Sequence, residues 1–125
     1  RIAVGDPATV PVGGYARAYL QSVGWWDRLQ DRLVPTRSVR AALMIVEAGE
    51  VDAGIVYRSD ALSSHQVTQV SAVSIAEGPD IAYPAAVTTG SANPAAGERW
   101  LAYLAEPAAS AAFEAAGFIV PGERR

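Results

Sequence analysis

The chain has no cysteine and no lysine, and it contains a single histidine, His65. The absence of cysteine excludes disulfides, thiolate zinc sites and cysteine nucleophiles. A lone histidine cannot form a histidine pair, and a serine nucleophile needs a neighbouring base such as histidine or lysine. Neither a GxxxxGK[ST] phosphate loop nor a GxGxxG motif occurs. We therefore expect a binding protein and not an enzyme.

Basic charge is scarce as well. The ten arginines are outnumbered by thirteen acidic residues, and the net charge is −3. Nucleic-acid binding needs a basic face that neutralises phosphates, so we expect no nucleic-acid partner. The sequence has no run of about 18 apolar residues that could span a membrane. It opens at Arg1 without a visible signal peptide, and we expect a mature product or a fragment.

Strand-like and helix-like segments alternate along the 125 residues, a length that suits one domain. The predicted strands are Ile2–Val4, Gly54–Val56, Val67–Val73 and Ile81–Thr88, with Phe118–Val120 as a terminal strand or a packed tail. The predicted helices are Tyr15–Val23, Asp27–Leu33 and Val39–Glu47, then one that begins at Pro94 and one from Pro107 to Gly117. This alternation predicts an α/β fold with a mainly parallel sheet flanked by helices.

The stretch from Thr36 to Tyr57 carries the strongest local signals. Ser38 is a natural N-cap, because its hydroxyl can accept a backbone N–H that a helix start leaves unpaired. Gly49 fits the left-handed position that ends a helix, and Gly54–Val56 fits a buried strand. Free N–H groups at a helix start, beside a strand followed by the Tyr57 hydroxyl, can hold an anion. The alternative is an ordinary helix–strand unit.

A second candidate anion site is the segment Val10–Gly14, predicted to be a loop that opens into a helix. Its glycines, Gly13 and Gly14, allow close approach of the backbone to a ligand. A glycine-containing loop before a helix is a common way to bind anions. The alternative is that both glycines serve only as a turn.

Two further pairs of residues allow two interpretations each. Trp25 and Trp26 are predicted to plug the core, and the alternative is stacking on a ligand. Asp52 and Asp60 could form a carboxylate pair for acid–base chemistry. Asp52 fits better as the start of a strand, and Asp60, or its neighbour Ser59, as the cap of a helical turn.

Several short motifs occur in a fixed order along the chain. They are Gly5-Asp6-Pro7, Val10-Pro11-x-Gly13-x-Tyr15-Ala16, Val39-Arg40-x-Ala42-Leu43, Gly54-Ile55-Val56-Tyr57-x-Ser59-Asp60, Tyr83-Pro84-x-Ala86-Val87 and Phe113-Glu114-x-x-Gly117-Phe118. In this order and spacing, the set resembles the periplasmic molybdate-binding proteins of molybdate ABC importers. The resemblance covers nearly the whole chain.

The resemblance implies a lobe of a type II periplasmic-binding-protein-like fold that closes around a tetrahedral oxyanion, molybdate or tungstate. In that family, neutral donors hold the anion without direct metal coordination and without a cofactor. The implied contacts are the backbone N–H of Val12, the backbone N–H of Val39 and the hydroxyl of Tyr57. The implied partner is the membrane permease of an ABC importer. The implied location is the periplasm or the outer face of a membrane that carries the protein by a lipid anchor.

The family is much longer on its N-terminal side, so the resemblance implies a C-terminal portion that carries half of the anion site. Residues 1–80 would form most of the second lobe. Residues 81–125 would form a crossover strand and C-terminal helices that pack on the first lobe. Those helices would fold back on the chain or exchange between two copies in a homodimer. The alternative function is a ligand-sensing domain of a transcription regulator with the same fold.

Overall fold

The computed structural model describes residues 1–120. The chain forms two compact units, the first spanning Arg1–Pro79 and the second beginning at Asp80. Among the described residues, no helix is both long enough and apolar enough to cross a membrane. The sequence also predicts that Glu123–Arg125 are frayed, and these residues lie outside the described range.

The first unit contains three strands and four α-helices. In chain order these are β1 (Ile2–Gly5), α1 (Pro11–Ser22), α2 (Trp26–Leu29), β2 (Leu33–Thr36), α3 (Val39–Glu47), β3 (Ala53–Ile55) and α4 (Arg58–Ser63). A 3-10 turn, Gln30–Arg32, joins α2 to β2. The described part of the second unit contains α5 (Pro94–Leu104) and α6 (Pro107–Ala115).

The three strands form one parallel sheet in the order β2-β1-β3, which confirms the predicted α/β fold. Gly5 pairs with Thr36 on one side of β1, and Val4 pairs with Ile55 on the other. Because the strands are parallel, they all end at the same edge. We call this the carboxyl edge (Gly5, Thr36, Ile55) and the opposite one the amino edge (Ile2, Leu33, Ala53).

Helices α1 and α3 both pack on the central strand β1. The chain moves from β1 to β2 in one direction and from β2 past β1 to β3 in the other. Right-handed crossovers therefore put α1 and α3 on opposite faces of the sheet. Ala3 and Val4 of β1 and Ala42 of α3 are fully buried. The core thus lies around β1, because a parallel strand that helices cover on both faces is buried on both sides.

The predicted helix ends are confirmed where a local side chain or a glycine defines them. Ser38 Oγ accepts a hydrogen bond from the Ala41 N–H at 3.1 Å, and Asn93 Oδ1 accepts one from the Ala96 N–H at 3.1 Å. The glycines that follow α1, α3 and α6 adopt positive φ angles: Gly24 at 71°, Gly49 at 69° and Gly117 at 89°. These signals act within one turn, so the sequence alone is enough to place them.

Strand β2 is an element that the sequence did not predict. The segment Asp27–Leu33, expected to be a helix, is helical only to Leu29, and after a 3-10 turn Leu33 begins the strand. β2 contains Pro35, which has no N–H to donate to a ladder. Within the described residues β2 has only one neighbouring strand, and an edge position tolerates proline.

The two strands predicted at Val67–Val73 and Ile81–Thr88 are wrong. Neither segment pairs with a strand within residues 1–120, and Val70 is 92% exposed. Strand preference depends on burial and on neighbouring strands that pair the backbone. The alternating pattern of Val67–Val73 therefore gives no strand here, because the described residues supply no such neighbour.

Trp25 and Trp26 do not plug the core. Trp25 is 55% exposed and lines an open groove of about 260 Å³. Trp26 is half-buried, and the Arg17 guanidinium lies 5.2 Å from its ring centroid. Both tryptophans come directly after Gly24, which ends α1. The chain turns there at the amino edge of the sheet, so the two side chains lie outside the core.

The second unit is held together by aromatic contacts. Phe118 meets Tyr83 and Phe113 edge to face, with ring centroids 5.7 and 5.8 Å apart. Of the two interpretations of Phe118–Val120, a strand or a packed tail, the structure shows the packed tail. Trp100 of α5 stacks on Tyr103 and is 59% exposed.

Candidate functional site

The carboxyl edge of the sheet is the place where the sequence-predicted site residues come together. β1 leads into α1, which contains Val12, and β2 leads into α3, which begins at Val39. β3 is followed by Val56 and Tyr57. In parallel sheets, ligands bind outside the carboxyl ends of the strands, where the chain order reverses. In the order β2-β1-β3, that reversal lies between β1 and β3.

The start of α1 differs from the predicted loop Val10–Gly14. Pro11 occupies the first helical position, so Gly13 and Gly14 lie inside the helix and not in a loop before it. A Cβ placed on Gly13 would be 1.9 Å from the Gly5 carbonyl oxygen. Only glycine lets α1 begin this close to the end of β1.

The first turn of α1 leaves one amide without a partner among the described residues. The N–H groups of Gly13 and Gly14 both donate to the Val10 carbonyl, at 2.9 and 3.1 Å. The Val12 N–H donates to no group in the part of the chain that the structure describes. Pro11 has no N–H, so Val12 carries the first amide of this helix. The side chain of Val12 is buried, which fixes the direction of that amide.

The turn between β1 and α1 is held by Asp6. Its carbonyl accepts hydrogen bonds from Thr9 and Val10 at 3.1 and 2.8 Å, and its Oδ1 accepts one from Ala8 at 2.8 Å. The Asp6 N–H donates to the Thr36 carbonyl at 2.8 Å. The loop ahead of α1 is therefore tied both to itself and to the end of β2.

The start of α3, like that of α1, has amides without an acceptor among the described residues. Ser38 caps it through the Ala41 N–H, and the Ala42 N–H donates to the Ser38 carbonyl at 3.1 Å. The Thr36 hydroxyl lies 2.9 Å from that carbonyl and can donate to it. The amides of Val39 and Arg40 donate to no acceptor among residues 1–120, so they remain available to a ligand.

Tyr57 occupies the N-cap of α4, and its carbonyl accepts the Ala61 N–H at 3.1 Å. The prediction that Ser59 or Asp60 caps this turn is wrong, because both lie inside the helix. The side chain of Tyr57 is half-buried. In the chain, Tyr57 comes after β3 at the carboxyl edge, just as Val12 comes after β1 and Val39 comes after β2.

The carboxylate pair considered for acid–base chemistry does not form. Asp52 precedes β3 and Asp60 follows it, so the strand separates the two carboxylates. The Asp52 carboxylate accepts a hydrogen bond from the amino group of Arg1 at 2.5 Å. This hydrogen bond, together with the positive charge, holds the pKa of Asp52 below its usual range.

Sequence reasoning missed two features that shape this edge. One is the contact between Gly5 and Gly13, and the other is the link from Asp6 to Thr36. The two glycines were visible in the motifs, but their contact depends on how α1 packs on β1. The second link depends on β2, which the sequence did not predict.

Comparison with known proteins places this arrangement in a class. The sequence matches the family described as bacterial extracellular solute-binding protein over residues 1–119, and the chain belongs to that family. Among curated relatives, it is 42% identical over 120 residues to the molybdate-binding protein ModA of Escherichia coli. It is 35% identical over 118 residues to a putative ABC transporter substrate-binding lipoprotein, YvgL, of Bacillus subtilis.

A solved structure supports the same relationship. The substrate-binding domain of a putative molybdenum ABC transporter from Clostridium difficile superposes with a TM-score of 0.82 at 32% identity. That match covers 94% of this chain and 51% of the other. The alignments cover 96% of this chain but 46% of the Escherichia coli relative, and 94% against 45% for the Bacillus subtilis one. The chain therefore spans about half the length of these relatives.

Proposed function

We propose that this chain is part of a solute-binding protein that captures molybdate, or the similar tetrahedral oxyanion tungstate, for an ABC importer. One observation carries the proposal. In a chain of this family, Val12 and Val39 present amides that no acceptor among residues 1–120 pairs, at the same sheet edge that Tyr57 follows. The relatives at 42% and 32% identity are named for molybdate and molybdenum.

The proposed contacts use neutral donors. The N–H groups of Val12 and Val39 and the hydroxyl of Tyr57 would donate hydrogen bonds to the oxyanion. Each helix start adds a favourable dipole term of about 0.3–1 kcal/mol, rising to about 2 kcal/mol when partly buried. Hydrogen bonds to an anion are roughly twice as strong as neutral ones, so several together can bind tightly. Sulfate has the same charge and geometry, so cavity size would exclude it.

The chain would supply one half of this site. Residues 1–80 would form most of the second lobe, and residues 81–125 would form the segment that returns to the first lobe. The relatives are about twice as long as the chain, which is consistent with a second set of donors from another lobe. We therefore expect weak or undetectable binding by this chain alone.

The proposed partner is the membrane permease of the importer, and the proposed location is outside the cytoplasmic membrane. The family is one of extracellular proteins, and one relative is named as a lipoprotein. The proposed location therefore includes both a lipid-anchored form and a free periplasmic form. The alternative function, a ligand-sensing domain of a transcription regulator, gains no support from the relatives named above.

A homodimer that exchanges the C-terminal helices is a separate structural hypothesis. The second unit exposes large apolar side chains, including Trp100, Tyr103 and Ile119, which need cover in solution. The relatives give no support for a swapped dimer. Light scattering tests it, since a monomer at high protein concentration would contradict the exchange.

Calorimetry tests the proposed function. Molybdate is titrated into this chain and into a fusion that adds the N-terminal part of the Escherichia coli relative, with sulfate as the control anion. We expect tight, molybdate-selective binding by the fusion and little or none by the chain. Equal affinity for sulfate, or no binding of molybdate by the folded fusion, would refute the proposal.

A further inference from the structure

Charged side chains are distributed unevenly between the two edges of the sheet in the first unit. The segments at the amino edge carry five acidic residues against three arginines and the amino group of Arg1: Asp27, Asp31, Glu47, Glu50 and Asp52, with Arg1, Arg28 and Arg32. The segments at the carboxyl edge carry three arginines and two acids: Arg37, Arg40 and Arg58, with Asp6 and Asp60. The edge that holds the candidate site is therefore the positive one.

The three arginines at the carboxyl edge lie next to the candidate donors. Arg37 directly follows β2, Arg40 is the second residue of α3, and Arg58 is the first residue of α4. The Cα–Cβ bond of a helical residue tilts toward the helix N-terminus. The Cα–Cβ bonds of Arg40 and Arg58, both in the first turn of their helices, therefore tilt toward this edge.

These arginines are exposed and have no counter-charge in direct contact within residues 1–120. All three side chains are exposed, and none forms an ion pair with another residue of the described range. The two nearby acids are half-buried, and Asp6 Oδ1 already accepts the Ala8 N–H. The guanidinium charges therefore face solvent, where a small anion can sense them.

We propose that Arg37, Arg40 and Arg58 make the carboxyl edge an anion-concentrating surface that delivers the oxyanion to its site. The delivery part of this proposal rests on the proposed function. The arginines do not replace the neutral donors, because their role is to raise the local concentration of anions before binding.

The physical reason is the overall charge of the chain. A net charge of −3 repels a dianion on average, so an approach to the site needs a local region of opposite sign. Clefts lined by charge of one sign raise association rates about 10- to 1,000-fold, and an open edge with a net excess of positive charge acts in the same direction with a smaller effect. The effect is screened by salt, since the Debye length falls from about 30 Å at 0.01 M to about 8 Å at 0.15 M.

Paramagnetic relaxation with soluble cosolutes of opposite charge tests the proposal on this chain, without molybdate. At low ionic strength we expect an anionic nitroxide to relax the amide protons of Val12, Val39 and Arg40 about threefold more than a cationic one does. Amides at the amino edge, such as that of Ala53, are expected to show no such preference, because the charges of Arg1 and its amino group lie beside Asp52 and Glu50. Salt at 0.5 M should remove the difference.

Two triple variants make the test specific. Changing Arg37, Arg40 and Arg58 together to glutamine should abolish the preference for the anionic cosolute. The matched control R17Q/R28Q/R32Q removes the same charge elsewhere and should leave that preference in place. An equal effect of both triple variants, or no preference in the unmodified chain, would overturn the proposal. A failure of molybdate binding would refute the proposed function but would leave this anion preference measurable.

Discussion

Gly13 lies against Gly5 so closely that a Cβ on Gly13 would be 1.9 Å from the Gly5 carbonyl oxygen. This contact sets the start of α1 at the end of β1 and directs the Val12 amide toward the carboxyl edge. Gly5 is constrained as well, because a Cβ there would be 2.6 Å from Cγ1 of Val10 and 2.7 Å from Cγ1 of Val12. Two glycines thus position one of the candidate donors.

The substitution Gly13→Ala is expected to lower the free energy of unfolding by at least about 2 kcal/mol, since the new methyl group must displace backbone atoms. The matched control is Gly14→Ala, one residue further along the same helix. A Cβ on Gly14 would meet its nearest atom, the Pro7 carbonyl oxygen, at 3.9 Å. We expect Gly14→Ala to raise stability by about 0.5–1 kcal/mol. Urea denaturation measures both, and equal stability of the two variants would contradict this packing.

The cap of α3 gives a second prediction. Ser38→Ala removes the side-chain oxygen that accepts the Ala41 N–H, and we expect a loss of about 1 kcal/mol in unfolding free energy. Ser59→Ala, inside α4, is the control and should change stability by less than about 0.5 kcal/mol. Thermal and urea denaturation are suitable measurements. A Ser38 variant as stable as the Ser59 variant would show that the cap contributes nothing.

The contact between α3 and β3 gives a third prediction. A Cβ on Gly54 would lie 2.8 Å from Cγ2 of Val46. We expect Gly54→Ala to destabilise the chain by about 1–3 kcal/mol through overpacking. Adding Val46→Ala removes the clashing methyl group, so the double variant should be more stable than the sum of the single effects by at least about 0.5 kcal/mol. Strict additivity in a double-mutant cycle would count against the contact.

Tyr57 gives a prediction about binding. In the fusion described above, Tyr57→Phe removes the proposed hydroxyl donor and should weaken molybdate binding about 10- to 100-fold, since hydrogen bonds to charged groups contribute about 1.5–3 kcal/mol. Tyr19→Phe is the control, because Tyr19 is also half-buried but lies near the other end of α1. Calorimetry compares the two variants. Similar affinities would remove Tyr57 from the proposed site.

The parts of the fold that the sequence predicted correctly depend on neighbours within one helical turn. Ser38 and Asn93 cap helices with their own side chains, and Gly49 closes α3 at a positive φ angle. The errors concern pairing between distant segments. β2 was not predicted because it contains Pro35, although an edge strand tolerates proline. Val67–Val73 was predicted as a strand from its alternating pattern, but it has no neighbouring strand in the described range.

In the candidate site, too, local sequence signals predicted some features, while others depend on pairing between distant segments. The residue types at Val39 and Tyr57 could be placed from local pattern, since one follows a cap and the other follows a strand. Their arrangement at one edge required the order β2-β1-β3, which no local signal contains. Gly13 was predicted to lie in a loop because the helix was predicted to begin at Tyr15, four residues after its start at Pro11 in the structure.

In the proposed site, the amides of Val12 and Val39 bind the oxyanion at the carboxyl edge. The most direct measurement is a molybdate titration of the isotopically labelled fusion, followed by the amide proton and nitrogen shifts. We expect the largest downfield proton shifts at Val12 and Val39, with small changes at Ala53 on the amino edge. Saturable molybdate binding that leaves the Val12 and Val39 amides unmoved would contradict it.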